Sequence, residues 1–265
     1  MGFHSFLQAN NVPFESAMAK AWNLKMFRHI KTGVDNASRV LADERGACPD
    51  AADYSMLERF SNKTAIAPTA SISIICGGAS PGIEPISGNS FTHKTLSGSF
   101  SVRNRHLKKL LAEKGKDEEE TWTSITVNEG SVQHLDFLTK DEKDVFKTAF
   151  ELDQRWVIEL AADRTPYIDQ SQSVNIFLSA DVHKRDLHQI HYQAWKQGMK
   201  SLYYCRSKSI QRAEDVSTQE PAEQTTGGIN VNMPLPGVPS VELPLAAHAV
   251  DTQETTDYEE CLACQ

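Results

Sequence analysis

Between residues 13 and 42, apolar side chains fall at 17, 21, 24, 27, 30, 34, 37 and 41, always three or four apart. That spacing returns to one face of a helix on every turn. It predicts an amphipathic helix with Pro13 near its start and Gly46 just past its end. The next patterned stretch, TAIAPTASISII (64–75), is rich in β-branched residues and predicts a strand. It runs into a loop of small residues and glycines, CGGASPGIEP. RHLKKLLAEKG (105–115) predicts a short helix closed by Gly115, and KDEEE after it is a solvated acidic run. TKDEKDVFKTAFELDQRWVIELAADR (139–164) opens with Thr139 and Glu142 at capping-box spacing and predicts one long helix. SQSVNIFL (171–178) then reads as a strand, DVHKRDLHQIHYQAWKQG (181–198) as a helix closed by Gly198, and MKSLYYC (199–205) as a second strand. Strand, helix and strand with short joins make a βαβ unit with parallel strands. Past about residue 215 the pattern dissolves into Thr, Gly, Pro and Glu. The expected organisation is therefore a folded α/β part over 1–215 and a flexible tail over 216–265.

The 265 residues are 40% hydrophobic and 23% charged, with a net charge of −8. That balance suits a soluble globular protein and argues against nucleic-acid or anionic-membrane binding, since phosphate surfaces select basic partners. No apolar run approaches the roughly 18 residues of a membrane span. The opening MGFHSF has neither the basic nor the apolar segment of a signal peptide, and Phe6 stands where a myristoylation pattern needs Ser or Thr. Cysteines stand at 48, 76, 205, 261 and 264. An odd number without a secretion signal suggests reduced thiols and a cytoplasmic setting. Cys48, Cys76 and Cys205 read as small buried residues.

Three constellations carry chemistry. The loop around Thr69, Ser71 and Ser73 offers hydroxyls and close backbone approach, which would suit a phosphate. It lacks the Walker and dinucleotide signatures, so on its chemistry alone a structural turn is the better reading. Tyr203 and Tyr204 are adjacent on a predicted strand, where strict alternation packs one ring on each face. The alternative is redox use, a phenol losing an electron and a proton together. Cys261 and Cys264 form a CxxC at the tip of roughly 45 flexible residues, a chain with an r.m.s. span of about 35–40 Å. One such pair cannot supply four zinc ligands, and a thiol–disulfide shuttle is the better reading. His183, His188 and His191 share one predicted helix but have no further ligand at clear spacing, so they read as a solvated face.

Loop, tyrosine pair and terminal dithiol occur together, in this order, in one family. The chain resembles the C-terminal part of the large, catalytic subunit of class I ribonucleotide reductase. The likeness runs through MGFHSFLQ, APTASISIICGGASPGIEP, FTHKTLSGSFSVRN, TPYIDQSQSVNIF, HYQAWKQGMKSLYYCRS and the terminal CLAC. It implies the C-terminal portion of a ten-stranded α/β barrel, followed by the flexible tail. It also implies that Thr69, Ala70, Ser71 and Ile72 bind the diphosphate of a ribonucleoside diphosphate, through backbone N–H groups and the hydroxyls of Thr69 and Ser71. Tyr204 would receive an oxidising equivalent from the small subunit, and Tyr203 would pass it to a cysteine that becomes a thiyl radical. A working pair then requires a distorted strand end. Cys261 and Cys264 would re-reduce the active-site disulfide and be regenerated by thioredoxin or glutaredoxin.

The resemblance implies no cofactor or metal bound by this piece itself. The tyrosyl radical and di-iron centre belong to the partner small subunit. The thiyl cysteine, its Asn and Glu neighbours, the reducing cysteine pair and the allosteric sites lie upstream in the family. The chain is therefore expected to be inactive alone, as an experimental fragment or one half of a split subunit, and to act only with the upstream half. Two other classes stay open: an inert remnant that binds the small subunit or a nucleotide, and an independent CxxC redox protein.

Overall fold

A computed structural model describes residues 1–95 and 98–207; the side chains of Ser71 and of residues 92–100 lie outside that description. The expected tail, with Cys261 and Cys264, also lies outside the described residues.

Helix α1 (Phe3–Ala9) leads into the long helix α2 (Ala17–Arg45). Ser16 caps α2 by accepting from the Ala19 N–H at 3.1 Å, and Gly46 ends it at a φ of 82°. The helix matches expectation, but its packed face is shifted. Ala19, Asn23, Ser38 and Ala42 are buried, while Ala17, Ala21, Ile30 and Ala37 are exposed. Polar partners explain part of the shift: Asn23 donates to the Leu160 carbonyl at 2.8 Å, and its Oδ1 accepts from the buried Arg164 at 3.0 Å.

Next come α3 (Pro49–Asp53), α4 (Ala70–Ile75) and an antiparallel hairpin of β1 (Ser90–Thr95) and β2 (Gly98–Arg103), with Ser90 opposite Arg103. Buried Asn89 fixes the base of the hairpin by donating to the carbonyls of Gly130 and Phe146 at 3.0 and 2.7 Å. Helices α5 (Arg105–Glu113) and α6 (Glu119–Val127) follow, and α5 starts where Asn104 caps it, as the sequence reading anticipated to within a residue or two.

The expected single helix over 139–164 is two, α7 (Lys140–Val145) and α8 (Gln154–Arg164). The capping box of Thr139 and Glu142 is present. The break has its own polar anchors. Glu151 accepts from the Thr148 N–H at 2.7 Å, the Ala149 N–H donates to Ile86 at 2.7 Å, and Asp153 caps α8. A 3-10 turn (Thr165–Tyr167), β3 (Ile176–Leu178), α9 (Lys184–Lys196) and β4 (Cys205–Ser207) complete the order. β3 and β4 pair in parallel across α9, the expected βαβ unit with shorter strands.

Three apolar clusters hold these elements. One joins α1, α2 and α8 through Leu7, Phe14, Val157 and Leu160; one joins α5, α6 and α7 around Trp122; one joins α8, β3 and α9 through Ile158, Ile176 and Ile190. Helix α8 therefore walls two clusters, and each fully buried aliphatic side chain contributes roughly 1.5–3 kcal/mol. Among the described residues no helix is long and apolar enough to cross a membrane. Cys48 is half-buried and Cys76 and Cys205 are exposed, which corrects their reading as buried residues. Cys76 follows a short surface helix and Cys205 opens a strand whose burial alternates exposed, intermediate, exposed.

Candidate active site

Segment 170–178 runs between two others. On one side Ile66 bridges Gln172 in parallel, its N–H donating to Ser171 at 3.2 Å and its carbonyl accepting from Ser173 at 2.9 Å. On the other side, the Tyr203 N–H donates to Val174 at 2.9 Å and the Ile176 N–H donates to Tyr204 at 2.9 Å. Three residues on from Ile66 is Thr69, and three on from Gln172 is Asn175. The loop that starts at Thr69 thus follows the stretch paired on one side of this segment, and the tyrosine pair lies on the stretch paired on the other.

The loop departs from its predicted form. Residues Ala70–Ile75 are helix α4, not strand, and Thr69 precedes it in the left-handed region at φ 54°, ψ 28°. That conformation is costly for a β-branched residue. It is held in place because the Thr69 Oγ1 accepts from the Gly82 N–H at 2.8 Å. Gly82 is required there: at φ +48°, a Cβ would meet the Ala67 carbonyl at 3.0 Å and the Pro68 carbonyl at 3.3 Å. Since Thr69 Oγ1 is turned to Gly82, it does not cap α4. The first intrahelical bond runs from the Ser73 N–H to the Thr69 carbonyl at 3.0 Å. The N–H groups of Ala70, Ser71 and Ile72 precede it and have no carbonyl one turn back to bond. Ile72 is half-exposed, and the Ser71 side chain is outside the description. Consecutive free N–H groups at a helix start favour an anion.

The tyrosines precede β4 rather than lying within it. Tyr203 pairs with Asn175 and Cys205 with Ile176, so between two consecutive residues of one segment the other advances by two. This is a β-bulge with Tyr204 as the extra residue, and it breaks the alternation that would have separated the rings. Their centroids are 4.1 Å apart at 53°, and both rings are about half exposed, at 50% and 45%. The N–H freed by the bulge donates to the Asn175 Oδ1 at 3.0 Å.

Two residues that the sequence reading did not single out complete the arrangement. Buried Asn175 also lies beside the carboxyl of buried Glu84. Burial raises the Glu84 pKa, while Asn175 and the charge of Arg206 pull it back. The Arg206 guanidinium lies over the Tyr204 ring, 5.9 Å from its centroid. One sequence signal was available: Glu84 is the lone acid of an otherwise apolar, Gly- and Pro-bounded stretch, SPGIEPI. The histidines of α9 have local roles. His183 caps the helix, His188 stacks on Tyr192, and His191 contacts the Leu187 carbonyl at 2.8 Å.

The family model described as "Ribonucleotide reductase, barrel domain" matches residues 58–205. The chain is 47% identical over 222 residues to the ribonucleoside-diphosphate reductase large subunit of Invertebrate iridescent virus 6, covering 82% of this chain and 23% of that protein. It is 35% identical over 227 residues to the large subunit of Danio rerio, covering 74% of this chain and 28% of the relative. Among solved structures, the Actinobacillus ureae class Id ribonucleotide reductase alpha subunit superposes with a TM-score of 0.72 at 42% identity, covering 79% of this chain and 38% of that one. The chain thus spans well under half the length of these relatives. With the barrel-domain match extending over more than half of its length, from the residue that pairs with Lys63 to the strand that follows the tyrosine pair, the chain belongs to the ribonucleotide reductase family.

Proposed function

We propose that this chain supplies part of the catalytic barrel of a ribonucleoside-diphosphate reductase large subunit and works together with the upstream part of that subunit. The three parallel segments around residues 66, 172–178 and 203–207 are neighbouring strands of the ten-stranded barrel. Residues 216–265 carry its redox dithiol, and the setting is cytoplasmic. The observation that carries the reading is the bulge that brings the Tyr203 and Tyr204 rings to 4.1 Å. Two phenol rings in tilted contact suit stepwise hydrogen-atom transfer far better than rings on opposite faces of a strand.

In this reading the Tyr204 O–H gives up one electron and one proton to the oxidant held by the small subunit, whose di-iron centre and tyrosyl radical supply it. The Tyr204 radical takes a hydrogen atom from the Tyr203 O–H. The Tyr203 radical in turn takes one from a cysteine S–H of the upstream part, leaving a thiyl radical to act on the ribose. Thr69, Ala70, Ser71 and Ile72 hold the substrate diphosphate through the N–H groups at the start of α4. The Thr69 hydroxyl, which accepts from Gly82, keeps its own proton to donate. Replacing the ribose 2′-hydroxyl by hydrogen takes two electrons from a dithiol, which becomes a disulfide. Cys261 and Cys264 reduce that disulfide by exchange, and thioredoxin or glutaredoxin reduces them.

The test combines this chain with the upstream part of the large subunit and a radical-bearing small subunit, and measures deoxyribonucleotide formed from a ribonucleoside diphosphate. Turnover is expected in the mixture and in none of the parts alone. Tyr203→Phe should abolish it while leaving substrate affinity nearly unchanged, because one hydroxyl is lost and packing is kept. A Tyr203→Phe enzyme with half of normal turnover would refute the radical route. No turnover in any combination would leave an inert binding remnant.

A further inference from the structure

The bulge at Tyr204 interrupts the backbone ladder, and its support is a side chain. An extra residue in a ladder leaves an N–H without a backbone acceptor, and a buried unpaired N–H costs free energy. Here the Asn175 Oδ1 takes that N–H at 3.0 Å. An amide side chain can turn either end to a neighbour, so something must hold this one with its oxygen towards Tyr204. The buried Glu84 carboxyl does so: it lies beside Asn175, which lowers its pKa against the effect of burial. A carboxylate accepts only, so it selects the NH₂ end of Asn175 and directs the oxygen away.

Around Asn175 the site is buried and charged. Glu84 and Asn175 are buried, and among the described residues one Glu84 oxygen and the Arg206 Nε have no hydrogen-bond partner. The Arg206 guanidinium lies against the face of Tyr204. Glu84 itself sits two residues beyond Gly82, which holds Thr69, and its N–H closes a turn onto Pro81 at 3.0 Å.

We propose that Glu84 and Asn175 are positioning residues for the tyrosine pair: Glu84 orients Asn175, and Asn175 locks the bulge that brings the Tyr203 and Tyr204 rings together. Neither residue touches a reacting atom in this role. The consequence for turnover rests on the radical route proposed above, whereas the structural consequence does not.

The experiment uses the full chain and reads hydrogen exchange at three amides of one ladder. The Tyr203 and Ile176 N–H groups bond backbone carbonyls, and the Tyr204 N–H bonds Asn175. Asn175→Ala should lower protection of the Tyr204 amide by about fivefold to tenfold, one lost hydrogen bond, with the other two amides nearly unchanged. Glu84→Gln keeps the size of the side chain and faces Asn175 with a donor. It should shift the same amide in the same direction by a smaller factor, and it serves should Asn175→Ala not fold. Both variants should also diminish the near-ultraviolet circular dichroism of the coupled phenols. In the assembled enzyme both should lower kcat with KM unchanged. Equal loss of protection at all three amides, or no loss at Tyr204, overturns the proposal. If Tyr203→Phe abolishes turnover and the two clamp variants do not lower kcat, the clamp has no part in catalysis and the proposal fails. If the Tyr204 amide responds as expected but Tyr203→Phe leaves turnover intact, the clamp stands and the radical route falls.

Discussion

Acidification should destabilise this protein through one histidine near the start of the chain. His4 is fully buried in α1, edge-on to Phe14 with ring centroids 5.4 Å apart. Its Nδ1 accepts from the Ile86 N–H at 3.0 Å, so the ring must be neutral, and a proton on Nδ1 would set two donors against each other. Burial, helped by the nearby His106, lowers its pKa from 6.5 to about 3. The unfolded chain takes up a proton near 6.5 and the folded chain does not until about 3. The stability contributed by the neutral ring is therefore present above the unfolded value and lost as pH falls through that window. Between pH 7 and pH 4 the linkage relation gives a loss of about 3 kcal/mol, a large share of a typical domain's stability of roughly 5–15 kcal/mol. Glu84 works in the opposite sense, because its raised pKa lets the folded state keep a proton longer as pH rises. The comparison must therefore be between variants. His4→Asn keeps an acceptor where Nδ1 stands and does not titrate. Denaturant unfolding of both proteins at pH 7 and pH 4 should show the parent losing about 3 kcal/mol more than the variant. The cavity in the variant costs the same at either pH and cancels. Equal pH dependence in the two proteins would refute the assignment of a neutral, hydrogen-bonded His4.

Two further outcomes are expected. Gly82→Ala places a Cβ against the Ala67 and Pro68 carbonyls at a left-handed φ, so it should destabilise the chain by about 1–2 kcal/mol and displace Thr69. Weaker nucleoside diphosphate binding in the assembled enzyme would be its functional mark, and unchanged affinity would separate this loop from the substrate. Cys261→Ser or Cys264→Ser should stop repeated turnover with thioredoxin while a small dithiol still supports it, since the small molecule can reach the site without the tail. Equal loss with both reductants would indicate a structural role for the tail.

The elements legible in the sequence were those with both a periodic core and a local stop signal. Helix α2 has Ser16 and Gly46 at its ends, α5 has Gly115 after it, and α9 has Gly198. The capping box at Thr139 was legible for the same reason. The single helix expected over 139–164 failed because apolar spacing continued across a break that Thr148, Glu151 and Asp153 anchor with their own polar groups. Residues Ala70–Ile75 were misread because β-branched composition favours a strand, while left-handed Thr69 and its bond to Gly82, thirteen residues on, turn the chain into a helix instead. The hairpin at β1 and β2 was not anticipated; its base is fixed by Asn89, whose partners Gly130 and Phe146 lie far along the chain. The candidate tyrosines were legible as an adjacent pair, but the bulge was not, because the Tyr204 N–H it frees is taken by Asn175 from another segment.

The tyrosine pair and the stretch that leads into the anion-type loop both pair with segment 170–178, so what anchors that segment positions both. Val174 and Ile176 are buried, Val174 among the residues of α1, α2 and α8, and Ile176 among those of α8 and α9. Alternation along an extended chain puts the Asn175 side chain on the face opposite these two. The apolar neighbours therefore fix the height and direction of Asn175 through packing, which is rigid at the level of a methyl group. Asn175 in turn sets Tyr204 through one hydrogen bond and lies beside buried Glu84. On the far side of the same segment, Ile66 is pinned to residues 171–173, and the chain reaches Thr69 three residues later. Neither site residue is thus held by its own loop alone. Both take their positions from one packed segment, and a disturbance of that segment should reach the anion-type loop and the tyrosine pair together.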